Sequence, residues 1–171
     1  MTTTFTVGRS DLRRMRWQEA PAAPLGPGDA RLRIDRFALT SNNITYGAFG
    51  DGMSYWNFFP TADAGTGCIP VWGFATVTET RCDGVASGER FYGYYPIADE
   101  VVLHPVAVDA NRFIDGAAHR RELHGIYNQY LRCSTDPLYR PADEDVLALY
   151  RPLFTTSFLI DDFLADNDFF G

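Results

Sequence analysis

Hydrophobic and polar residues alternate along several short stretches in the first two thirds of the chain. Residues 30–39 (ARLRIDRFAL) place apolar side chains mostly on one face and charged ones on the other, with a slip near Asp35. This alternation predicts a half-buried strand with a β-bulge. Further strands are predicted at residues 69–80, 90–95 and 101–104, and one strand within residues 1–18.

Loops rich in glycine and proline separate the predicted strands. Residues 19–29 contain both residue types and predict a loop, and residues 40–52 (TSNNITYGAFGDG) predict a polar, exposed one. Gly73 interrupts the strand at 69–80, where the backbone must bend or another segment must approach closely. Short strands between glycine-bearing turns predict a sandwich or small barrel.

The pattern becomes helical after Asn111. Residues 117–131 and 142–150 predict helices, separated by the prolines of STDPLYRP. In the terminal segment, apolar residues recur near helical spacing and leave a stripe for a partner surface. We therefore predict a mainly-β α+β chain: a β-barrel at 1–110, a helical insert at 111–150 and a last helix at 151–171.

Composition and charge exclude several classes of partner. The 171 residues are 46% hydrophobic, which suffices for a core, and the net charge of −7 disfavours phosphate backbones and anionic lipid. No apolar run approaches the roughly 20 residues of a membrane span, and the start has no secretory signal core. These features predict a cytoplasmic protein with neither nucleic-acid nor membrane partners.

The cysteines and histidines do not predict a metal site. Cys68, Cys82 and Cys133 are widely spaced and form no C-x-x-C pair, which favours reduced structural thiols. His119 and His124 are five positions apart and miss the i, i+4 spacing of a helical zinc site. The charged residues around them are interpreted as an exposed helix face, and the acidic string at 161–168 as the solvated face of the last helix.

Two segments in the first half resemble a known family. PGDARLRIDRFALTSNNIT is similar to that family's opening strand and Asn-x-x-Asp turn, with Asn42 at the Asn and Thr45 in place of the Asp. IPVWGFATVTET resembles its Pro-x-x-x-Gly-x-Glu-x-x-Gly-x-Val segment. It keeps Pro70, Gly73 and Val77 but has no acidic residue before Glu79.

Two further segments extend the resemblance. DGVASGERFYGYYPIADEVVLHP resembles the family's Gly-Asp-Arg-Val turn, with Gly88, Glu89 and Arg90 in register, and this match is the most specific. PLFTTSFLIDDFL resembles the helix that crosses toward the cofactor domain, with Thr156 at the matching threonine. The family is the N-terminal, GroES-like domain of the medium-chain dehydrogenase/reductase superfamily, in its zinc-free quinone oxidoreductase and enoyl reductase branch. Within it, the chain looks most like an uncharacterised group known only as a domain of unknown function.

The resemblance implies a GroES-like, partly open β-barrel with a helical insert and a crossover helix. A dinucleotide-binding turn, G-x-G-x-x-G between a strand and a helix, does not occur in the sequence. The three G-x-G strings, at 26–28, 50–52 and 65–67, are interpreted as turns. We therefore expect a truncated, substrate-side half that lacks its Rossmann domain, binds NADPH only in the complete protein, and uses no metal.

The resemblance also implies site residues. Asn42, Tyr46 and Tyr55 are predicted to be catalytic, as hydrogen-bond donors to a substrate carbonyl. Asn42 and Thr156 are predicted to face the nicotinamide, and Trp56 and Phe58 to contact a small-molecule substrate. Alternatives remain open: Asn42 and Asn43 bonding their own backbone, aromatic packing beneath a loop, and a Thr156 hydroxyl bonded to its own helix.

Two functions remain open from the sequence. The first is an NAD(P)H-dependent reductase of quinones, enones or activated carbonyls, inactive without its cofactor-binding half. The second is a non-catalytic GroES-like module that holds a ligand or assembles with a second subunit. We also expect an exposed aromatic patch near the end of the chain to favour a homodimer. The residues of this patch are Phe154, Phe158, Phe163, Phe169 and Phe170.

Overall fold

The structure, a computed structural model, describes residues 1–169, and this part of the chain forms ten strands and two α-helices. The strands are β1 (Thr2–Gly8), β2 (Asp11–Ala20), β3 (Ala30–Phe37), β4 (Thr66–Gly67), β5 (Pro70–Thr80), β6 (Arg90–Pro96), β7 (Glu100–Leu103), β8 (Pro105–Val106), β9 (Arg112–Asp115) and β10 (Gln129–Arg132). The helices are α1 (Ser41–Ala48) and α2 (Glu144–Asp166). Phe170, part of the predicted aromatic patch, lies outside the described residues.

The strands form two antiparallel sheets that join into a nearly closed, barrel-like body. The larger sheet has the order β7-β3-β5-β6-β10-β9-β8, and the smaller has the order β2-β1-β4. Strand β1 links them, since the Phe5 amide donates to the Ile97 carbonyl at 2.8 Å and the Asp99 amide to the Thr3 carbonyl at 3.1 Å. The predicted α+β class, mostly strands with a C-terminal helix, is confirmed, and the architecture is consistent with a GroES-like barrel.

The predicted bulge in the strand at 30–39 is confirmed. Ile34 pairs with Ala75 and Arg36 with Phe74, so Asp35 has no partner of its own in β5. The close approach predicted at Gly73 is confirmed as well, because a Cβ atom there would lie 2.2 Å from the Arg36 carbonyl oxygen. This glycine lets the two central strands pair beside the bulge.

The N-terminal segment forms a hairpin of two strands rather than the single predicted strand. Strand β2 runs for ten residues and is almost entirely exposed. Because a strand with two solvated faces needs no alternation of apolar and polar residues, its sequence gave no period-2 signal.

The helix predicted at residues 117–131 is wrong. This segment instead contains two short 3₁₀ helices, Ala118–Arg120 and Gly125–Asn128, and then strand β10. The reason is Arg120, which is 1% exposed, with its Nε 2.9 Å from Asp115 Oδ2 and its guanidinium 4.5 Å from the Phe59 ring centre. A buried ion pair therefore holds a residue that was interpreted as part of an exposed helix face.

Helix α2 is continuous across the predicted boundary between insert and last helix. It includes Pro152, although proline removes one i→i−4 hydrogen bond. Its first turns pack on β3 and β5, whereas nearly every residue from Leu153 onward is exposed. No helix within residues 1–169 combines the length and hydropathy that crossing a membrane would require.

Candidate functional site

Helix α1 presents two of the predicted site residues on one face. The segment was predicted as a loop, but a capping box begins a helix there: the Asn42 amide donates to Thr40 Oγ1 at 3.2 Å, and the Thr40 amide to Asn43 Oδ1 at 2.7 Å. Asn43 Nδ2 also donates to the Pro70 carbonyl at 2.8 Å, which fixes α1 on β5. Asn43 is thus structural, and Asn42 and Tyr46, one turn apart, lie side by side.

A cavity of about 420 Å³ lies between α1, the larger sheet and the middle of α2. Four aromatic residues line it: Tyr46, Trp72, Tyr92 and Tyr127. The rings of Trp72 and Tyr92 stack at 5.6 Å with an interplanar angle of 13°. Aromatic walls of this kind suit a flat, largely apolar ligand.

The polar groups of the cavity are mostly uncharged. Asn42, Gln129 and Thr156 line it, and Arg151 is its one charged lining residue in the described part of the chain. Arg151 Nη1 lies 2.5 Å from Asp136 Oδ2, and its guanidinium is 4.8 Å from the Tyr92 ring centre. Because Asp136 compensates this charge, the cavity has no net charge to attract an anion.

The cavity brings together three of the predicted site residues: Asn42, Tyr46 and Thr156. Asn42 is exposed and its side chain makes no hydrogen bond within residues 1–169. The Thr156 hydroxyl donates to the Pro152 carbonyl at 2.9 Å, the local bond considered from the sequence, and its oxygen keeps lone pairs that can accept.

The other predicted site residues do not line this cavity. Tyr55 and Phe58 line a second cavity of about 310 Å³, and Tyr127 borders both cavities. Trp56 is 2% exposed and lines neither of them. Its indole packs against Gly50 and Gly67, so for Trp56 the structure favours packing beneath a loop.

Burial raises the pKa values of the tyrosines that line the cavity. Desolvation raises the pKa of Tyr46 above its usual value, and burial raises the pKa values of Tyr92 and Tyr127 further. These phenols keep their protons at neutral pH, so they serve as hydrogen-bond donors and not as bases.

The thiols and potential metal ligands lie apart from this chemistry. Burial raises the pKa of Cys68 to about 11 and that of Cys133 to about 12, which keeps both as inert thiols. Within residues 1–169, His, Cys, Asp and Glu form no group of three or more arranged to hold a metal ion.

Sequence reasoning did not predict most of the lining residues as site residues, among them Tyr92, Tyr127, Gln129 and Arg151. Tyr127 and Gln129 belong to the segment at residues 117–131 that was predicted as a helix. Tyr92 lies on β6, which is buried on both faces and so shows no alternation. The one available signal for Tyr92 was the aromatic run FYGYY itself, which is typical of a core and of a cavity wall alike.

The barrel, helices α1 and α2 and the aromatic cavity together define the class of the protein: an α+β domain with a candidate ligand site. The chain belongs to the family of the protein of unknown function DUF2855, whose model matches residues 37–171. A comparison with curated proteins gives no match.

Two solved structures are similar to parts of the chain. The crystal structure of CurA from Vibrio vulnificus is 11% identical, covers 60% of this chain and 30% of its own, and has a TM-score of 0.44. The CurF ER cyclopropanase from the curacin A biosynthetic pathway is 12% identical, with 61% and 33% coverage and a TM-score of 0.46. The chain thus spans about a third of the length of these structures, and similarity at this level carries no conclusion about its activity.

Proposed function

We propose that this chain is the substrate-side domain of an NAD(P)H-dependent, zinc-free reductase of quinones, enones or activated carbonyls, acting in the cytoplasm. The nucleotide is bound chiefly by a Rossmann domain outside the described residues. The observation that carries the proposal is the shared cavity, in which Asn42, Tyr46 and Thr156 meet between aromatic walls. The superfamily resemblance assigned roles to these three residues independently of any geometry.

In this proposal, the α1 residues bind the reacting carbonyl. The Asn42 amide and the Tyr46 hydroxyl donate hydrogen bonds to the carbonyl oxygen, and this polarisation makes the conjugated carbon a better hydride acceptor. Tyr46 suits this role because its raised pKa keeps the donor proton in place at neutral pH. The aromatic walls align a flat substrate and exclude water.

Asn42 of α1 and Thr156 of α2, which both line the cavity, fit a nicotinamide. Asn42 has a free amide, and Thr156 retains acceptor lone pairs, so the two would hold the carboxamide of NADPH, which supplies the hydride when bound. Gly50 and Gly67, each from a Gly-x-Gly string, do not fit a pyrophosphate, because both accommodate the Trp56 indole. The chain by itself is therefore expected to bind NADPH weakly or not at all.

A non-catalytic ligand-binding or assembly module is the second candidate. The cavity is compatible with it as well, because its lining supplies hydrogen-bond donors, among them tyrosines whose raised pKa values keep them protonated. Donors of this kind hold a ligand equally well whether or not a hydride is transferred.

The test uses the protein encoded by the whole gene and follows NADPH oxidation with menadione and 2-cyclohexenone as acceptors. We expect Tyr46→Phe and Asn42→Ala each to lower kcat/KM by roughly 10-fold or more, since each removes a donor to the oxygen. Ile44→Ala is the matched control, because Ile44 is an exposed α1 residue that does not line the cavity. Absence of turnover with both acceptors, with NADH as well as NADPH, would favour the non-catalytic module.

A further inference from the structure

Gln129 projects from β10 into the cavity, and a neighbouring residue determines the orientation of its amide. Arg112 Nη1 lies 2.6 Å from Gln129 Oε1. Because a guanidinium only donates hydrogen bonds, the amide oxygen must face Arg112, and the NH₂ group must point away from it. Within residues 1–169, no side chain or carbonyl accepts a hydrogen bond from this NH₂ group.

The arginine is itself held in place. Arg112 lies on β9, where it is paired opposite Leu131 of β10, and its Nε lies 3.8 Å from Asp109 Oδ2. The Asp109 carboxylate also accepts the backbone amides of Asn111 and Arg112, at 2.7 Å and 2.9 Å. A chain of contacts thus runs from Asp109 through Arg112 to Gln129 and ends at the cavity.

We propose that Gln129 is a specificity-determining donor of this cavity, oriented by Arg112 as a positioning residue, and that the cavity selects flat, uncharged ligands bearing an acceptor oxygen. This inference rests on the proposed function, since it names the ligand class for the same cavity. The acceptor oxygen is required by the donors, which are the amides of Gln129 and Asn42 and the hydroxyl of Tyr46. The absence of charge on the ligand follows from Asp136, which neutralises Arg151 at 2.5 Å.

Three bicyclic probes of similar size separate these requirements. 1-Tetralone carries a carbonyl oxygen, tetralin has a methylene in its place, and 1-naphthoate carries a negative charge. Dissociation constants are measured on the 171-residue chain by ligand-observed NMR, without nucleotide, so that binding is separated from hydride transfer. We expect 1-tetralone to bind several-fold more tightly than both other probes.

The variants isolate the donor and its positioning residue. Gln129→Glu keeps the shape of the side chain and its bond to Arg112 but removes the NH₂ donor. It should weaken 1-tetralone binding by roughly 3- to 10-fold and leave tetralin within about twofold of the parent. Arg112→Met should reduce the preference for 1-tetralone over tetralin, and Arg112→Lys, which can still donate to Gln129 Oε1, should restore it. A purely structural role of Arg112 would alter the affinity for both probes equally.

The outcomes distinguish failure of this inference from failure of the proposed function. If 1-tetralone binds the parent chain but Gln129→Glu binds it equally well, Gln129 is not a donor and the inference is overturned, whereas the cavity remains the ligand site. Tetralin or 1-naphthoate binding as tightly as 1-tetralone would overturn the inference in the same way. If none of the probes binds up to its solubility limit, both the inference and the cavity on which the proposed function rests are wrong.

Discussion

Trp56 accounts for one glycine in each of two Gly-x-Gly strings, Gly50 and Gly67. A Cβ atom on Gly50 would lie 2.0 Å from the Trp56 indole, and a Cβ atom on Gly67 would lie 2.3 Å from it. Gly52, in the same string as Gly50, has no heavy atom within 4 Å of the corresponding position. Gly50 and Gly67, whose strings resemble part of a phosphate-binding motif, therefore reflect the packing of one indole ring.

Alanine substitutions in this string should separate packing from conformational effects. Gly50→Ala forces its methyl group into the Trp56 ring and should lower the free energy of unfolding by about 1–3 kcal/mol. Gly52→Ala is the matched control and should stay within about 0.5 kcal/mol of the parent. Urea unfolding monitored by tryptophan fluorescence measures both. Equal stability of the two variants would contradict the packing explanation.

From the sequence, cavity residues could be predicted as site residues only in the segments that resemble the family. Asn42, Tyr46 and Thr156 were all predicted as site residues from the family resemblance. Gln129 and Tyr127 carried no motif, and their segment has the composition of a helix although a buried Arg120 prevents one from forming. Burial of an arginine is a tertiary effect, so the local pattern could not reveal it.

Glu144 connects helix α2 to the barrel by hydrogen bonds from Arg90 of β6. Its carboxylate accepts hydrogen bonds from Arg90 Nε at 2.5 Å, from Arg90 Nη2 at 2.8 Å and from the Tyr139 hydroxyl at 2.7 Å. Arg90 also donates to Asp35, the bulged residue of β3, at 2.8 Å. The turn that gave the most specific family match, Gly88 to Arg90, thus serves to attach the helix that closes the cavity.

This attachment predicts a dependence of stability on pH. Burial alone would raise the pKa of Glu144, but the hydrogen bonds from Arg90 and Tyr139 lower it below the usual value of 4.5. A carboxyl group with a lowered pKa in the folded state stabilises the fold above its unfolded pKa, and this stabilisation is lost as the pH falls through the folded pKa. The contribution of Glu144 should therefore be complete at neutral pH, begin to fall near pH 4.5 and be lost once the pH is below the lowered folded pKa.

The variant Glu144→Gln tests this dependence. We expect it to be less stable than the parent at pH 7, with the difference shrinking as the pH is lowered from about 6 to about 3. Asp145→Asn is the control, because Asp145 is 82% exposed and its pair with Arg36 contributes little. Thermal unfolding across this pH range provides the measurement, and a constant difference between parent and Glu144→Gln would contradict the assignment.

The strands and helices could be predicted to different extents, for physical reasons. Strands β3, β5, β6 and β7 were predicted because each is bounded by glycine- or proline-bearing turns and carries an apolar face. Strand β2 was missed because it is exposed on both faces. Helix α1 was missed because its eight residues contain a glycine and two asparagines, and it is stabilised by a capping box and by the Asn43 contact with β5 rather than by helix propensity.

The whole molecule consists of a packed barrel and a helix whose second half has little contact with it. Large apolar side chains are exposed along this half, including Phe154 at 68%, Phe158 at 67% and Phe163 at 64%. Further apolar side chains of α2 are exposed beside them, including Leu159 at 53% and Ile160 at 55%. Exposed apolar helix surface is stabilised when another surface covers it.

The 171-residue chain in isolation should therefore self-associate through α2. Sedimentation equilibrium between about 1 and 200 μM should show a dimer that dissociates on dilution. Phe154→Asp and Phe158→Asp place charge in the centre of the apolar surface and should shift the equilibrium to the monomer. Phe49→Asp is the control, since Phe49 is a 54% exposed phenylalanine next to α1, outside the α2 surface. A parent chain that stays monomeric at the highest concentration would refute self-association, and equal effects of Phe49→Asp and Phe158→Asp would show that α2 is not the interface.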